Sequence, residues 1–287
     1  MRECYCVYHS ADLDGKMSAA IVRSKLSDAI LVPWNYGDDI PDFAEDAQLY
    51  FVDVCFPMDK MIELAKNHPV VLLDHHKTVL EHPRFPELAA IANCTLCAIG
   101  QAGCELTWTA FYEGTNAPFV VRCLGRYDVW DKSFSKGKVT WEDLCCLQLV
   151  MRHATVNDLR LALHDNEEET TERMKVGSSI SGYVTSQHEE MAERYAYVIA
   201  IDGIQCACMN SAERGSRVIE RYAEEHNCPL MFVYTHTKQK FFCSFYSVDT
   251  SIDCSDIAKR YGGGGHKGAA GCEMTVSQFL DVTRRTT

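Results

Sequence analysis

Three short apolar runs in the first half of the chain end in acidic or histidine side chains, and this pattern constrains the fold most. Residues 4–8 lead to His9, Asp12 and Asp14, residues 49–52 lead to Asp53, and residues 70–73 lead to Asp74, His75 and His76. Helix-favouring segments separate the runs, as is typical of parallel strands that are buried on both faces. The sequence therefore predicts an α/β domain with a doubly wound parallel sheet.

The chemistry of these strand ends indicates a metal centre. The carboxyl ends of parallel strands meet at one edge of a sheet, and carboxylates gathered there repel one another unless cations lie between them. Carboxylates in the majority suit Mn²⁺ or Mg²⁺ better than zinc, while iron and cobalt stay open. The candidate ligands are too many for one ion, which favours two metals that share a carboxylate. The alternative is that Asp12 and Asp14 cap a helix and that His75 and His76 are core histidines.

The second half of the chain differs in texture. Residues 155–194 are polar and helix-favouring and predict a helical connector, and the Asp202-Gly203 dipeptide is typical of a two-residue hairpin turn. A helix over 212–226, two further strands and a short helix over 253–261 follow. We therefore expect a domain over 1–154, a connector over 155–194 and a smaller α+β domain over 195–287.

Four consecutive glycines end the last predicted helix and are followed by His266. Consecutive glycines let a backbone approach a ligand and expose successive N–H groups, as phosphate-binding loops do. The alternative is a flexible loop that ends a helix.

Charge and cysteine content narrow the class of protein. The net charge of −12 argues against a broad basic face for long nucleic acid. Acidic residues near the start and the lack of a long apolar run predict a cytoplasmic protein without a membrane segment.

The 15 cysteines are expected to be reduced thiols. Cys94, Cys97 and Cys104 lack a fourth ligand for structural zinc.

Five motifs follow one another along the chain. They are His9-Ser-Ala-Asp12-Leu-Asp14-Gly15, Asp53 after a strand, Asp74-His75-His76, Tyr127-Asp128-Val-Trp130, and the glycine-rich segment 257–271. In this order the first four resemble the motifs of the DHH phosphoesterase superfamily, and the fifth resembles that of the DHH-associated C-terminal domain. The resemblance covers almost the whole chain.

The resemblance implies a role for each matched residue. The implied ligands of two Mn²⁺ ions are His9, Asp12 and Asp53 for one ion, and Asp14, Asp53, His75 and Asp128 for the other. Asp53 would bridge the ions, and His76 would face the scissile phosphate. These two residues are the implied catalytic residues. Asp74 would orient a neighbouring histidine. Asp131, about one helical turn after Asp128, is the alternative to that ligand.

The resemblance also implies where substrate binds. The expected contacts in the C-terminal domain are Gly262, Gly263, Gly264, Gly265, His266 and Tyr246. Many relatives carry a Ser-x-Arg-Ser pattern where this chain has Ser244-Phe-Tyr246-Ser247, so an arginine clamp on a terminal phosphate is not expected.

The two-domain layout resembles the nanoRNase and oligoribonuclease branch of the family. We therefore expect a Mn²⁺-dependent phosphodiesterase that releases mononucleotides from very short RNA or linear dinucleotides, with Mg²⁺, Co²⁺ or Fe²⁺ as alternative ions. Cyclic-dinucleotide phosphodiesterases and nucleoside 3′,5′-bisphosphate phosphatases share these motifs, and a catalytically silent nucleotide-binding protein is an alternative of another class. The oligomeric state stays open, a homodimer included.

Overall fold

The structure is a computed structural model that describes residues 2–134, 139–213, 215–237, 239–247, 249 and 251–284. The chain divides into two compact units, Met1–Ser179 and Ile180–Thr287. The division falls inside the long helix α9 (Glu167–Tyr195). The domain boundaries at 154 and 194 stay a prediction.

An all-parallel sheet forms the centre of the first unit. Its strands are β1 (Cys4–His9), β2 (Ile30–Trp34), β3 (Gln48–Val52), β4 (Val70–Asp74) and β5 (Cys94–Cys97), in the order β2-β1-β3-β4-β5. The chain leaves β1 for β2 on one side and returns to β3 on the other. The topological switch point, where α/β sheets bind their ligands, therefore lies between β1 and β3.

Helices cover both faces of this sheet, because alternate side chains of a strand point to opposite faces. Val7, Phe51 and Leu72 pack with α2 (Met58–Asn67) and α4 (Phe85–Ile91) on one face. Cys6 and Val52 pack with α1 (Leu13–Lys25) on the other. The predicted doubly wound α/β fold is confirmed.

Four further helices of the first unit build a second core against α1. They are α5 (Gly103–Phe111), α6 (Phe119–Asp128), α7 (Trp141–Met151) and α8 (Val156–Ala162). The short helix α3 (Lys77–Leu80) instead packs with the α2 and α4 face of the sheet through Val79. In the second core, Met17 and Ile21 of α1 pack with Cys104, Leu124 and Leu147. This packing brings the start of α5 and the end of α6 towards the switch point.

A mixed sheet forms the second unit. Its strands are β6 (Tyr197–Ile201), β7 (Ile204–Asn210), β8 (Leu230–Thr237), β9 (Lys240–Ser247), β10 (Gly264–Gly265) and β11 (Ala269–Met274), in the order β10-β11-β9-β8-β7-β6. Among the described strands of this sheet, β7 and β8 pair in parallel and the other neighbours pair antiparallel. Asp202 and Gly203 both have positive φ, 53° and 79°, as the predicted hairpin turn requires. Helices α11 (Cys254–Lys259) and α12 (Val276–Arg284) cover one face, and α10 (Glu220–Glu225) covers the other.

One local prediction is wrong. The helix expected over 212–226 is a 3₁₀ turn, Ser216–Val218, followed by the short α10. Gly215 has a φ of 116°, which a helix does not contain. Cys94 and Cys97, for which no zinc site is expected, are the first and last residues of the edge strand β5.

The cysteines are free and mostly buried, as expected for reduced thiols. Burial raises the pKa of Cys97 and Cys254 to about 12. Both thiols are therefore protonated near neutral pH and are poor metal ligands. None of the helices in the described ranges has the length and apolar character of a membrane span.

Candidate metal centre

The side chains that follow β1, β3 and β4 lie together at the switch point. Three sets of potential ligands occur there, and the ligand atoms within each set lie within 4.8 Å of one another. The sets are His9, Asp12 and Asp53; Asp14, Asp53 and His75; and Asp53, Asp74 and His76. We call these residues together with Asp128 the acidic cluster. Asp53 belongs to all three sets and is therefore its centre.

The backbone turns sharply to place Asp53. Its φ is 57°, in the left-handed region that non-glycine residues rarely adopt. The peptide is held by a hydrogen bond of 2.8 Å from Asp53 N–H to the Leu73 carbonyl. The carboxylate spans two histidines, with Oδ1 3.0 Å from His75 Nε2 and Oδ2 3.7 Å from His9 Nδ1. Strain of about 1 kcal/mol at a functional residue is typical of a binding site.

Asp14 is held by the N-terminus of a helix far away in the sequence. Its buried carboxylate accepts hydrogen bonds from the N–H groups of Gly103 (2.7 Å) and Cys104 (2.8 Å) at the start of α5. Unpaired N–H groups at a helix start favour an anion. No signal in the sequence indicates that this helix faces Asp14.

Glycine is required at position 103 because the backbone there lies very close to Asp53 and Asp14. A Cβ at this position would lie 2.6 Å from Asp53 Cβ and 3.0 Å from Asp14 Oδ2. A larger residue would push α5 away from both carboxylates.

Three carboxylates converge on one imidazole nitrogen. His75 Nε2 lies 3.0 Å from Asp53 Oδ1, 3.3 Å from Asp128 Oδ2 and 3.4 Å from Asp14 Oδ2. A single N–H can satisfy only one of these acceptors well, so the group holds more negative charge than the histidine balances. Asp131 instead accepts a hydrogen bond from the Ser133 hydroxyl and lies beside Arg126. The structure thus brings Asp128, and not Asp131, into the cluster.

Each of the other two histidines lies beside an aspartate. Asp74 Oδ1 lies 2.7 Å from His76 Nδ1 and also accepts the His76 backbone N–H at 2.9 Å. His9 Nδ1 lies 2.7 Å from Asp12 Oδ2. Asp12 Oδ1 caps α1 by accepting the Gly15 N–H at 3.0 Å. Asp12 therefore caps helix α1 with one carboxylate oxygen, which is the alternative role considered from the sequence. Its other oxygen faces His9 and is available as a metal ligand.

In the absence of a cation, these carboxylates can lie so close together only if some groups of the cluster are protonated. Burial, with Asp53 and Asp128 nearby, raises the pKa of Asp14 well above its ordinary value. Burial raises the pKa of Asp128 to about 7. Burial lowers the pKa of His75, but hydrogen bonding to Asp53 and the surrounding carboxylates raise it well above its usual range.

No lysine or arginine in the described part of the chain pairs with Asp14, Asp53 or Asp128. Within that part, the buried Oδ2 atoms of Asp74 and Asp128 form no hydrogen bond. An excess of buried oxygen ligands without a side-chain cation fits a divalent metal ion.

One aromatic residue beside the cluster was not predicted. The ring of Tyr36 lies 6.0 Å from the ring of His9 and 6.2 Å from that of His76. Tyr36 is 50% exposed, and burial of its hydroxyl with nearby Asp74 raises the pKa of the phenol. Its segment, Asn35-Tyr36-Gly37-Asp38, carries only a turn signal.

The predicted substrate contacts of the second unit are arranged differently from the expected open glycine loop. The N–H groups of Gly262, Gly263 and His266 donate to the carbonyls of Lys259, Ala258 and Ala269. Gly264 and Gly265 form β10, which pairs with β11. These three N–H groups are therefore engaged within the fold and not presented to a phosphate. The Tyr246 hydroxyl accepts a hydrogen bond of 3.1 Å from Gly215 N–H.

Glycine in this segment is explained by packing. A Cβ on Gly263 would lie 2.0 Å from the Gly271 carbonyl oxygen.

Comparison with known proteins identifies a curated relative. No family model matches the chain. Oligoribonuclease NrnB of Bacillus subtilis (strain 168) is 27% identical over 219 residues, which cover 72% of this chain and 53% of the relative. The chain thus spans about half the length of this curated relative.

Solved structures of low sequence identity also resemble the chain. A pGpG-specific phosphodiesterase, PggH from Vibrio cholerae, is 13% identical with a TM-score of 0.47 and covers 99% of this chain and 97% of its own. An exonuclease RecJ bound to manganese is 17% identical with a TM-score of 0.47 and covers 99% and 89%.

We predict that Gly103→Ala weakens Mn²⁺ binding about tenfold or more, because the added methyl displaces the groups that orient Asp14 and Asp53. Isothermal titration calorimetry measures the affinity. Gly182→Ala is the matched control, since Gly182 lies in α9 with open space around its Cα. Equal Mn²⁺ affinity in Gly103→Ala and the parent would contradict the close-packing argument.

We also predict that Mn²⁺ binding near pH 7 releases protons. The raised pKa values of Asp128 (about 7) and His75 mean that these groups carry protons which a metal must displace. Affinity should therefore rise with pH through about 7. Calorimetry in two buffers of different ionisation enthalpy counts the protons, and Asp128→Asn should release fewer. Release that is absent, or unchanged in this variant, would refute the assignment.

Proposed function

We propose that this chain, which its motifs and curated relative point to as a member of the DHH phosphoesterase superfamily, is a metal-dependent phosphodiesterase. It would release mononucleotides from very short oligoribonucleotides or linear dinucleotides. The observation that carries the proposal is the convergence of Asp14, Asp53 and Asp128 on His75 Nε2 without a side-chain cation. The curated relative, an oligoribonuclease, supports the substrate class.

The residues suit two Mn²⁺ ions that share Asp53. His9 Nδ1 lies beside Oδ2 of Asp12 and Oδ2 of Asp53, while His75 Nε2 approaches Oδ1 of Asp53. Asp14 and Asp128 complete the second set of ligands. Bound divalent ions of this kind lower the pKa of water and neutralise charge on phosphoryl oxygens.

The protein's own part of the reaction is to keep these ligands in place. The left-handed turn at Asp53 and the α5 N–H groups on Asp14 fix two carboxylates before substrate arrives. A preorganised site does not need to reorient its groups during the reaction. The ligand geometry therefore depends on the backbone as well as on the side chains.

His76 is proposed as the proton donor. Asp74 holds its Nδ1, so Nε2 is the nitrogen that can face the phosphate. Burial lowers the pKa of His76, but the charge of Asp74 and its hydrogen bond raise the net value. An imidazolium at this position can donate a proton from Nε2 to the leaving oxygen.

Short substrates agree with the charge of the chain. A net charge of −12 offers no long basic track, whereas a dinucleotide needs only a local grip. In the second unit we keep Gly262–Gly265, His266 and Tyr246 as proposed substrate contacts. Since several glycine N–H groups are engaged, side chains such as His266 would make these contacts.

The proposal predicts a defined substrate profile with Mn²⁺. We expect hydrolysis of a linear dinucleotide and a five-residue RNA, with weaker or no turnover of a cyclic dinucleotide and a nucleoside 3′,5′-bisphosphate, followed by chromatography of the products. Zn²⁺ should restore the chelated protein less well than Mn²⁺.

Asp53→Asn is the matched inactive variant, because asparagine tolerates left-handed φ and removes only the charge. Its rate should fall at least about a hundredfold. Turnover of no substrate by the parent would favour a nucleotide-binding protein.

His266→Ala should distinguish a role in substrate binding from a role in the catalytic step. We expect the kcat/KM for a dinucleotide to fall about tenfold, while hydrolysis of a small nitrophenyl phosphoester stays nearly unchanged, because remote contacts serve only large substrates. His236→Ala, on strand β8 of the same sheet, is the control. Equal losses on both substrates would mean that His266 supports the fold or the metal centre.

A further inference from the structure

Tyr36 lies at the corner of a well-defined turn. Asp38 N–H donates to the Asn35 carbonyl at 3.0 Å, and Gly37 has a φ of 101°. A hydrogen-bonded turn with positive φ at its third residue alone is a type II turn, in which Tyr36 is the second residue. Asp38 also accepts the Asn35 N–H at 2.8 Å. The position of Tyr36 is therefore fixed by its backbone.

This turn is tied to the first ligand strand. The Asn35 side-chain amide donates to Ser10 Oγ at 2.9 Å, and Ser10 directly follows His9. The Ser10 N–H in turn donates to the Trp34 carbonyl at 3.3 Å. Movement of the turn relative to His9 is restrained by both bonds.

A buried aromatic residue backs the Tyr36 ring. Trp34 is 4% exposed, and its ring lies 5.4 Å from Tyr36 and 4.8 Å from Phe56. The Trp34 indole N–H donates to the Asp39 carbonyl at 3.2 Å. Tyr36 itself keeps half of its surface exposed. One part of its ring therefore packs on a core residue, and the exposed part can contact a ligand.

The orientation of the ring suits a flat ligand beside the cluster. The plane of the Tyr36 ring makes angles of 66° with the His9 ring and 73° with the His76 ring. The Tyr36 ring is therefore steeply inclined to both imidazole rings. A nucleotide whose phosphate lies at the acidic cluster carries its base close by. Bases stack on exposed aromatic rings whatever their sequence.

We propose that Tyr36 is a base-stacking residue that binds the nucleobase next to the scissile phosphate. This inference rests on the proposed function for the position of the phosphate. It predicts that the protein distinguishes nucleotides from sugar phosphates without a base.

The test compares equilibrium binding of AMP and ribose 5-phosphate to the Mn²⁺-loaded protein by calorimetry. Tyr36→Ala should weaken AMP binding about tenfold and leave ribose 5-phosphate within about twofold of the parent. Tyr36→Phe keeps the ring and should retain AMP affinity. Tyr183→Ala is the control for loss of an exposed tyrosine, since Tyr183 is 72% exposed on α9.

Each outcome decides between stacking and its alternatives. The inference is overturned if AMP binds no more tightly than ribose 5-phosphate, if Tyr36→Ala keeps the AMP preference, or if Tyr36→Phe loses it. The last result would assign the effect to the hydroxyl.

Parallel KM measurements on a linear dinucleotide separate this inference from the proposed function. A parent protein that binds AMP through Tyr36 but hydrolyses no phosphodiester supports stacking and refutes the function. A parent that hydrolyses the dinucleotide with the same KM as Tyr36→Ala refutes stacking alone.

Discussion

Repulsion among buried carboxylates at the switch point is the constraint on which the first unit depends. Asp14, Asp53 and Asp128 lie around one nitrogen of His75, and no lysine or arginine in the described ranges pairs with them. Removing several charges from water costs free energy unless protons or a cation compensate. The fold therefore holds these groups in an arrangement that is stable only with such compensation, as binding sites for divalent ions do.

The backbone supplies what side chains alone cannot. Asp53 occupies a left-handed conformation, and Gly103 lets the start of α5 come within reach of Asp14. The left-handed conformation of Asp53 carries a cost in backbone strain. The same principle applies to Tyr36, whose type II turn places an exposed ring beside two of the histidines. Local sequences with little individual signal thus build the surroundings of the cluster.

Sequence patterns predicted those parts of the site that follow strands. His9, Asp53 and His75 follow runs whose burial and direction are determined by apolar residues, so their convergence follows from parallel pairing. Asp128 and Asp131 could not be separated in this way. Helix α6 ends at Asp128, and Trp130 takes a left-handed φ of 55°, so the chain turns Asp131 away towards Arg126. A helix assumed to continue would have kept both residues on one face.

The sequence by itself determined the doubly wound sheet, the ligand types at its strand ends and the order of the motifs, because these depend on the period of burial and on residues close in the chain. Only the tertiary structure decided which groups complete them. Asp14 is separated from Gly103 by 89 positions, and Tyr36 meets His76 across 40 residues of chain. The glycine-rich segment was expected to expose its N–H groups to a ligand. The N–H groups of Gly262, Gly263 and His266 instead donate to carbonyls of their own unit. Long-range packing determines such contacts, and no local pattern encodes it.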